Sequence, residues 1–98
     1  MTRRLKQLAE KHGFTYSKVF IRNQKTRWGS CSHKNDISLN IKLVCLPNDL
    51  LDYVILHELV HTRKKNHGKG FWVMLDRYMG NAKDFASRLN RTRVYAFE

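Results

Sequence analysis

No unbroken apolar run in this 98-residue chain approaches the roughly 20 residues that a membrane-crossing helix needs. The opening Met1-Thr2-Arg3-Arg4 leads into no signal-peptide hydrophobic stretch, so a cytoplasmic location is the expectation. Proline occurs once, and neither repeats nor low-complexity segments divide the chain, which reads as one domain over residues 1–98. Cysteine is scarce too. Cys31 and Cys45 are expected to be reduced thiols, and Cys31 with His33 lacks the second ligand pair of a closed zinc site. Acid is the rarest commodity relative to its opposite: eight Asp and Glu against nineteen Lys and Arg leave a formal charge of +11. That imbalance disfavours cationic partners and suits acidic ones, nucleotides and nucleic acids included. Apolar residues at 42% are enough for a folded core, so wholesale disorder is excluded.

Periodicity orders the elements. Leu5, Leu8 and Ala9 have helical spacing and stop before Gly13, a suitable C-terminal glycine. Tyr16 to Arg22 reads as a strand, and Arg27 to Ser32 and Ile37 to Asn40 read as a hairpin around His33-Lys34-Asn35-Asp36. Pro47 suits the start of a long helix reaching about Lys64. Leu50, Leu51, Val54, Ile55, Leu56, Leu59 and Val60 cover most of its circumference, which predicts burial between layers. After Gly68 and Gly70, Phe71, Trp72, Leu75, Tyr78 and Met79 are spaced as a helix, and Asn81 with Asp84 resembles the start of another before Phe85, Ala86 and Leu89. The expected fold is α+β: a three-stranded antiparallel sheet packed on a buried metal-binding helix, with further helices at the C-terminal end.

The buried helix contains His57-Glu58-Leu59-Val60-His61, an HExxH pattern. Positions i and i+4 lie about 40° apart around a helix, so two imidazoles can converge on one ion. Zinc suits such ligands, and Glu58 can reach a water on the metal as general base without being a ligand itself. The third ligand is expected to be His67. A continued helix would place it about 240° away from His61, so the helix must break, and Asn66, Gly68 and Gly70 offer residues for the turn. A metzincin would have glycine where Lys64 stands, so this turn is of another kind. Asp76 and Asp52 rank below His67 as ligands or as acceptors for a histidine N–H. Arg27 and Trp28 are candidates for substrate contact along a sheet edge. The plainer alternative, which is preferred, has Trp28 packing on the metal helix and Gly29 marking a bulge. Asn66, Tyr78 and Tyr95 are candidates for stabilising an oxyanion, while His12 and His33 read as solvated surface residues.

The stretches Arg27-Trp28-Gly29-Ser30-Cys31-Ser32, Ile37-Ser38-Leu39-Asn40, Leu46-Pro47 and Leu51-Asp52-Tyr53-Val54 continue through His57 to His61, Asn66-His67 and Phe71-Trp72. Together they resemble the YgjP-like metallopeptidase domain family, grouped with the SprT-like and WLM-type zincins. The resemblance implies a gluzincin-like or minimal zincin fold, with His57, His61 and His67 as zinc ligands and Glu58 as catalytic base. The expected function is therefore a zinc-dependent hydrolase of peptide or protein substrates. Two alternatives accompany it. Some members carry the name UTP pyrophosphatase, implying a nucleoside triphosphate substrate, and Arg63, Lys64, Lys65 and Lys69 beside the ligands could hold phosphates. The SprT-like resemblance allows a nucleic-acid-associated protease or binding module, with basic residues alternating with Phe20 and Trp28.

Overall fold

The computed structural model describes residues 1–92, so Tyr95 lies outside the described residues. Helix α1 (Thr2–His12) ends where Gly13 takes a left-handed conformation, φ 73°, and donates its N–H to the Ala9 carbonyl. Three strands follow, β1 (Val19–Arg22), β2 (Gly29–Cys31) and β3 (Ile37–Asn40). A 3₁₀ turn over Ile41–Cys45 leads to α2 (Asn48–His61), α3 (Lys69–Met79) and α4 (Ala82–Arg91).

The α+β class is as expected, but the sheet is mixed where an antiparallel one was expected. Strand β3 lies in the middle, antiparallel to β2 and parallel to β1. The hairpin places β3, not β2, beside β1, so residues 23–28 must pass over the end of β3 to reach the far edge. Asn40 holds this crossing. Wholly buried at the end of β3, it donates from Nδ2 to the carbonyls of Gln24 at 2.8 Å and Arg27 at 2.7 Å, and its Oδ1 accepts from the Lys42 N–H. A buried amide that leaves its partners unmade is costly, so these three bonds fix where β2 begins.

Helix α2 is the centre of the domain. Leu50, Val54, Ile55, Leu56, Leu59 and Val60 are buried on several sides of it, against α1, α3, α4 and the sheet. An all-round apolar helix has no solvent face to offer, which is why it sits between layers. Its N-terminal turns are pinned from outside: Arg4 grips Asp52 with two parallel bonds of 2.8 and 2.7 Å, and Arg88 reaches Asp49 at 2.9 Å. Asp52 is thereby committed to α1 and is no metal ligand. Asp76 is committed too, its Oδ1 accepting the Ala82 N–H at 2.8 Å. Asn81 stands at the start of α4 as its spacing suggests, but it adopts φ 56° and makes no side-chain cap bond, and Asp76 supplies the acceptor for the first N–H. Both cysteines are free thiols, and no helix of the described residues is long and apolar enough to cross a membrane.

Candidate metal centre

Helix α2 stops at His61, slightly short of the expected Lys64, because the chain tightens there. The N–H groups of Arg63 and Lys64 both turn back to the Val60 carbonyl, and the Thr62 hydroxyl donates to Leu59. The break lies earlier than Gly68 and Gly70 suggest, and Gly70 is part of α3. Its consequence is the expected one, since residues 62–66 loop back and return His67 to the helix it has just left. The Nε2 of His67 lies 2.9 Å from that of His61 and 3.3 Å from that of His57. The three ligand atoms all fall within 4.8 Å of one another.

The other ring nitrogens explain why these Nε2 atoms are available to a metal. His61 donates from Nδ1 to the Lys64 carbonyl at 2.9 Å, a bond that exists only because the helix ends, and His57 Nδ1 lies 3.1 Å from Glu58 Oε2. With the protons on Nδ1, the Nε2 lone pairs of both rings face a common point. With His67 in the same tautomer, three lone pairs face one another at these separations and repel unless a cation lies among them. Tetrahedral zinc with bonds of about 2.0 to 2.1 Å separates its nitrogen ligands by about 3.3 Å, so the donor set fits that ion in chemistry and in scale. Burial lowers the pKa of His61 most, against the Lys64 carbonyl, and burial followed by the neighbouring His57 lowers that of His67. Both shifts favour the neutral imidazole that metal coordination requires. The aromatic ring of Phe71 stacks on His61 at 4.5 Å between centroids and meets His57 and His67 edge-on, fixing all three rings from below.

Glu58 is 4% exposed, and an isolated carboxylate at such a position is expensive. The backbone of β2 lies directly against it. A methyl carbon built on Gly29 would come 3.2 Å from Glu58 Cγ and 3.3 Å from Oε2, so glycine here permits a close approach that any side chain would obstruct. Oε2 meets His57, whereas no hydrogen bond from the described residues engages Oε1.

Two clefts meet at the histidines, sharing Gly29, His57, Glu58 and His67. One, of about 320 Å³, is lined by Trp28, Tyr53, Val54, Trp72, Ala86, Leu89 and Asn90. The other, of about 340 Å³, is lined by Arg27, Ser30, Cys31, His61 and Lys65. Trp28 packs on the core, donates from its indole N–H to the Thr92 carbonyl at 3.3 Å, and also walls the first cleft. Arg27 walls the second. Asn66 is exposed in the turn and lines neither cleft. Of the four cations flanking the ligands, Lys65 alone lines the site; Arg63 instead donates to the Gly13 carbonyl and covers the Phe14 ring. Tyr78 packs against His12 and Phe14, away from both clefts, so His12 is half-buried and not the solvated residue expected, while His33 is exposed.

Tyr53 belongs to one of the stretches that carry the family resemblance, but nothing in the sequence places it at the site. It lies one helical turn before His57, stacks on Phe85 and is 2% exposed, and its ring centroid is 5.9 Å from that of His57. Burial, reinforced by Glu58, pushes its pKa up to about 12, so it stays a neutral phenol in the cleft wall. The available signal was its i−4 spacing from His57, which equally describes an ordinary core position.

A family model described as the YgjP-like, metallopeptidase domain matches residues 1–92. No curated protein is significantly similar. Two solved structures share the fold at a TM-score of 0.77, both described as metallopeptidase zymogens. Abylysin of Pyrococcus abyssi is 24% identical, over 90% of each chain. Jannalysin of Methanocaldococcus jannaschii is 25% identical, over 92% of this chain and 93% of that one.

Proposed function

We propose, from the premise that the chain belongs to the YgjP-like metallopeptidase domain family, that it is a zinc-dependent peptidase in which Glu58 is the catalytic base. The observation that carries this reading is the convergence of three imidazole Nε2 atoms beside a buried carboxylate and beneath an open strand edge. A zinc ion held by His57, His61 and His67 would polarise the scissile carbonyl and make hydroxide available near neutral pH. Every other part belongs to the chain's own residues. Glu58 accepts the proton of the attacking water at Oε1, while Oε2 stays with His57 Nδ1, and it then delivers that proton to the departing amine nitrogen. The Lys64 carbonyl and Glu58 hold the rings of His61 and His57 in the tautomer with a free Nε2.

Strand β2 supplies a place for the peptide. It is an edge strand, and its bonds to β3 fall on alternate residues: the Asn40 N–H donates to Trp28 and the Ser32 N–H to Asp36. By that alternation the N–H and C=O groups of Gly29 and Cys31 face away from β3. Both residues line the clefts at the histidines, so an extended peptide added at this edge passes directly over them. A triphosphate would need several cations at the histidines, and three of the four beside the ligands do not line the site, which favours a peptide over a nucleotide.

The test is hydrolysis of a casein-type substrate and of UTP by the zinc-loaded protein, by the same protein treated with a chelator, and by Glu58→Gln. Peptide cleavage that requires zinc and is lost in Glu58→Gln, with zinc content retained, is the expected result. Full activity in Glu58→Gln, or hydrolysis of UTP alone, would sink the reading.

A further inference from the structure

The two clefts that share the histidines have opposite chemistry. One is walled by Trp28, Tyr53, Trp72 and Leu89, and the other by Arg27 and Lys65. Resting on the peptidase reading above, we infer that the enzyme selects peptides with an acidic side chain before the scissile bond, held by Arg27 and Lys65, and a large apolar side chain after it, held in the aromatic cleft.

The two cations are available for such a contact. Arg27 is exposed, and its guanidinium has neither an ion-pair nor a hydrogen-bond partner among the described residues. Lys65 is held in place without being neutralised, since its Nζ donates to the Ser32 carbonyl at 2.9 Å and to the Asn35 side-chain oxygen. Its third N–H meets only the Cys31 thiol, a weak sulfur acceptor at 3.9 Å that a carboxylate would displace, and it has no carboxylate partner among the described residues. Asp36, which lines a neighbouring hollow together with Arg27 and Cys31, is engaged by the Lys18 N–H at 3.2 Å. Among the described residues that line the cleft, Glu58 is the one acid. A cationic substrate side chain placed there would meet two like charges, whereas a carboxylate would gain charge-assisted bonds, bidentate on the guanidinium of Arg27. Charge is concentrated here by the sequence as well: residues 11–35 and 59–75, which supply Arg27 and Lys65, contain no Asp or Glu.

The order of the two subsites follows from strand direction. Gly29, at the start of β2, borders the aromatic cleft, and Cys31, at its end, borders the basic one. A peptide adding antiparallel, as β3 does on the other edge, runs from Cys31 towards Gly29. Its amino-terminal half therefore meets Arg27 and Lys65, and its carboxy-terminal half meets Trp28 and Trp72.

The experiment compares blocked peptides, acetylated and amidated, carrying Glu then Phe across the cleavage point, Gln then Phe, or Phe then Glu. With the zinc-loaded enzyme, kcat/KM for the Glu-Phe peptide should exceed that for Gln-Phe by about 10-fold or more, as expected for a charge-assisted contact, and Phe-Glu should be the poorest. In Arg27→Gln and in Lys65→Gln the Glu-to-Gln ratio should fall towards one. Lys65→Arg should retain it, and Lys6→Gln, which removes the same charge from α1, should not change it. Equal rates on the Glu and Gln peptides, preference for Phe-Glu, or cleavage only of peptides with a free C-terminus would overturn the inference. If no peptide is cleaved, the peptidase reading has failed while the inference is still decided by binding. Quenching of Trp28 and Trp72 fluorescence in zinc-loaded Glu58→Gln should then show tighter binding of the Glu-Phe peptide than of Gln-Phe, and equal affinities refute it.

Discussion

Replacing Gly29 with alanine tests the contact on which the proposed catalytic geometry depends. The added methyl carbon would stand 3.1 Å from the Ser38 carbonyl oxygen, 3.2 Å from Glu58 Cγ and 3.3 Å from Glu58 Oε2. Ordinary carbon contacts are about 3.5 to 4.0 Å, so room must be found for a few tenths of an ångström on two sides. The Ser38 carbonyl belongs to the central strand and cannot retreat without opening the β2–β3 pairing. Glu58, on the side chain of a buried helix, is therefore the group that yields, and its Oε2 is drawn away from His57. Overpacking of this kind costs about 1 to 3 kcal/mol of stability. Since a 1 Å misplacement of a catalytic group can cost about 100-fold, a shift of a few tenths predicts a loss of about 5- to 10-fold in kcat. The assays are urea denaturation followed by Trp fluorescence, zinc titration and peptide turnover at saturating zinc. Zinc affinity should change less than kcat, because the methyl meets Glu58 and no histidine. Gly70→Ala is the control: its methyl meets only the Lys64 side chain at 3.7 Å, within α3, so it should gain about 0.5 to 1 kcal/mol. Gly29→Ala with undiminished kcat and stability would refute the close approach of β2 to Glu58.

Asn40→Ala removes the three bonds that hold residues 23–28 over β3 and should cost about 3 kcal/mol, read as a lower urea midpoint, with activity falling as Arg27 to Gly29 lose their anchorage. Arg4→Gln breaks the paired contact of α1 with Asp52, partly exposed on both sides, and should cost only about 0.5 to 1 kcal/mol, a difference that 1 M NaCl should erase. Tyr53 provides a pH prediction. Its pKa is raised in the folded protein to about 12 from 10.0, so unfolding releases its proton above pH 10, and stability that is intact below pH 10 is lost between pH 10 and 12. The loss attributable to this one residue is about 2 kcal/mol, and Tyr53→Phe should remove it together with the latest-titrating phenol in an ultraviolet titration.

Much of this site is legible in the chain because its signals are local. His57, Glu58 and His61 occupy one turn of an apolar helix, and helical geometry alone puts the two rings on one point. The need for a helix break before His67 follows from the same arithmetic, although the break comes at Thr62 to Lys64, where no glycine stands. The deeper reason is that the Lys64 carbonyl is required by His61, a contact that helical periodicity cannot display. The central position of α2 and the glycine ending α1 are likewise written in spacing. Sheet pairing is not, because nothing in three short strands says which neighbour each will take. The parallel pairing of β1 with β3 depends on Asn40 and on two carbonyls 13 and 16 residues earlier in the chain.

The sequence by itself therefore determined the histidine spacing that could hold a metal, the buried helix that bears it and the α+β class, since each follows from residue types at short, regular separations. Only the tertiary structure decided that Gly29 is the contact surface of Glu58, that Asp52 and Asp76 are engaged elsewhere, and that Arg27 and Lys65 meet on one side of the histidines with Trp28, Tyr53 and Trp72 on the other. These are contacts between residues far apart in the chain, made by the packing of β2 on α2 and the return of α3 and α4 over it, and local propensity has no access to them.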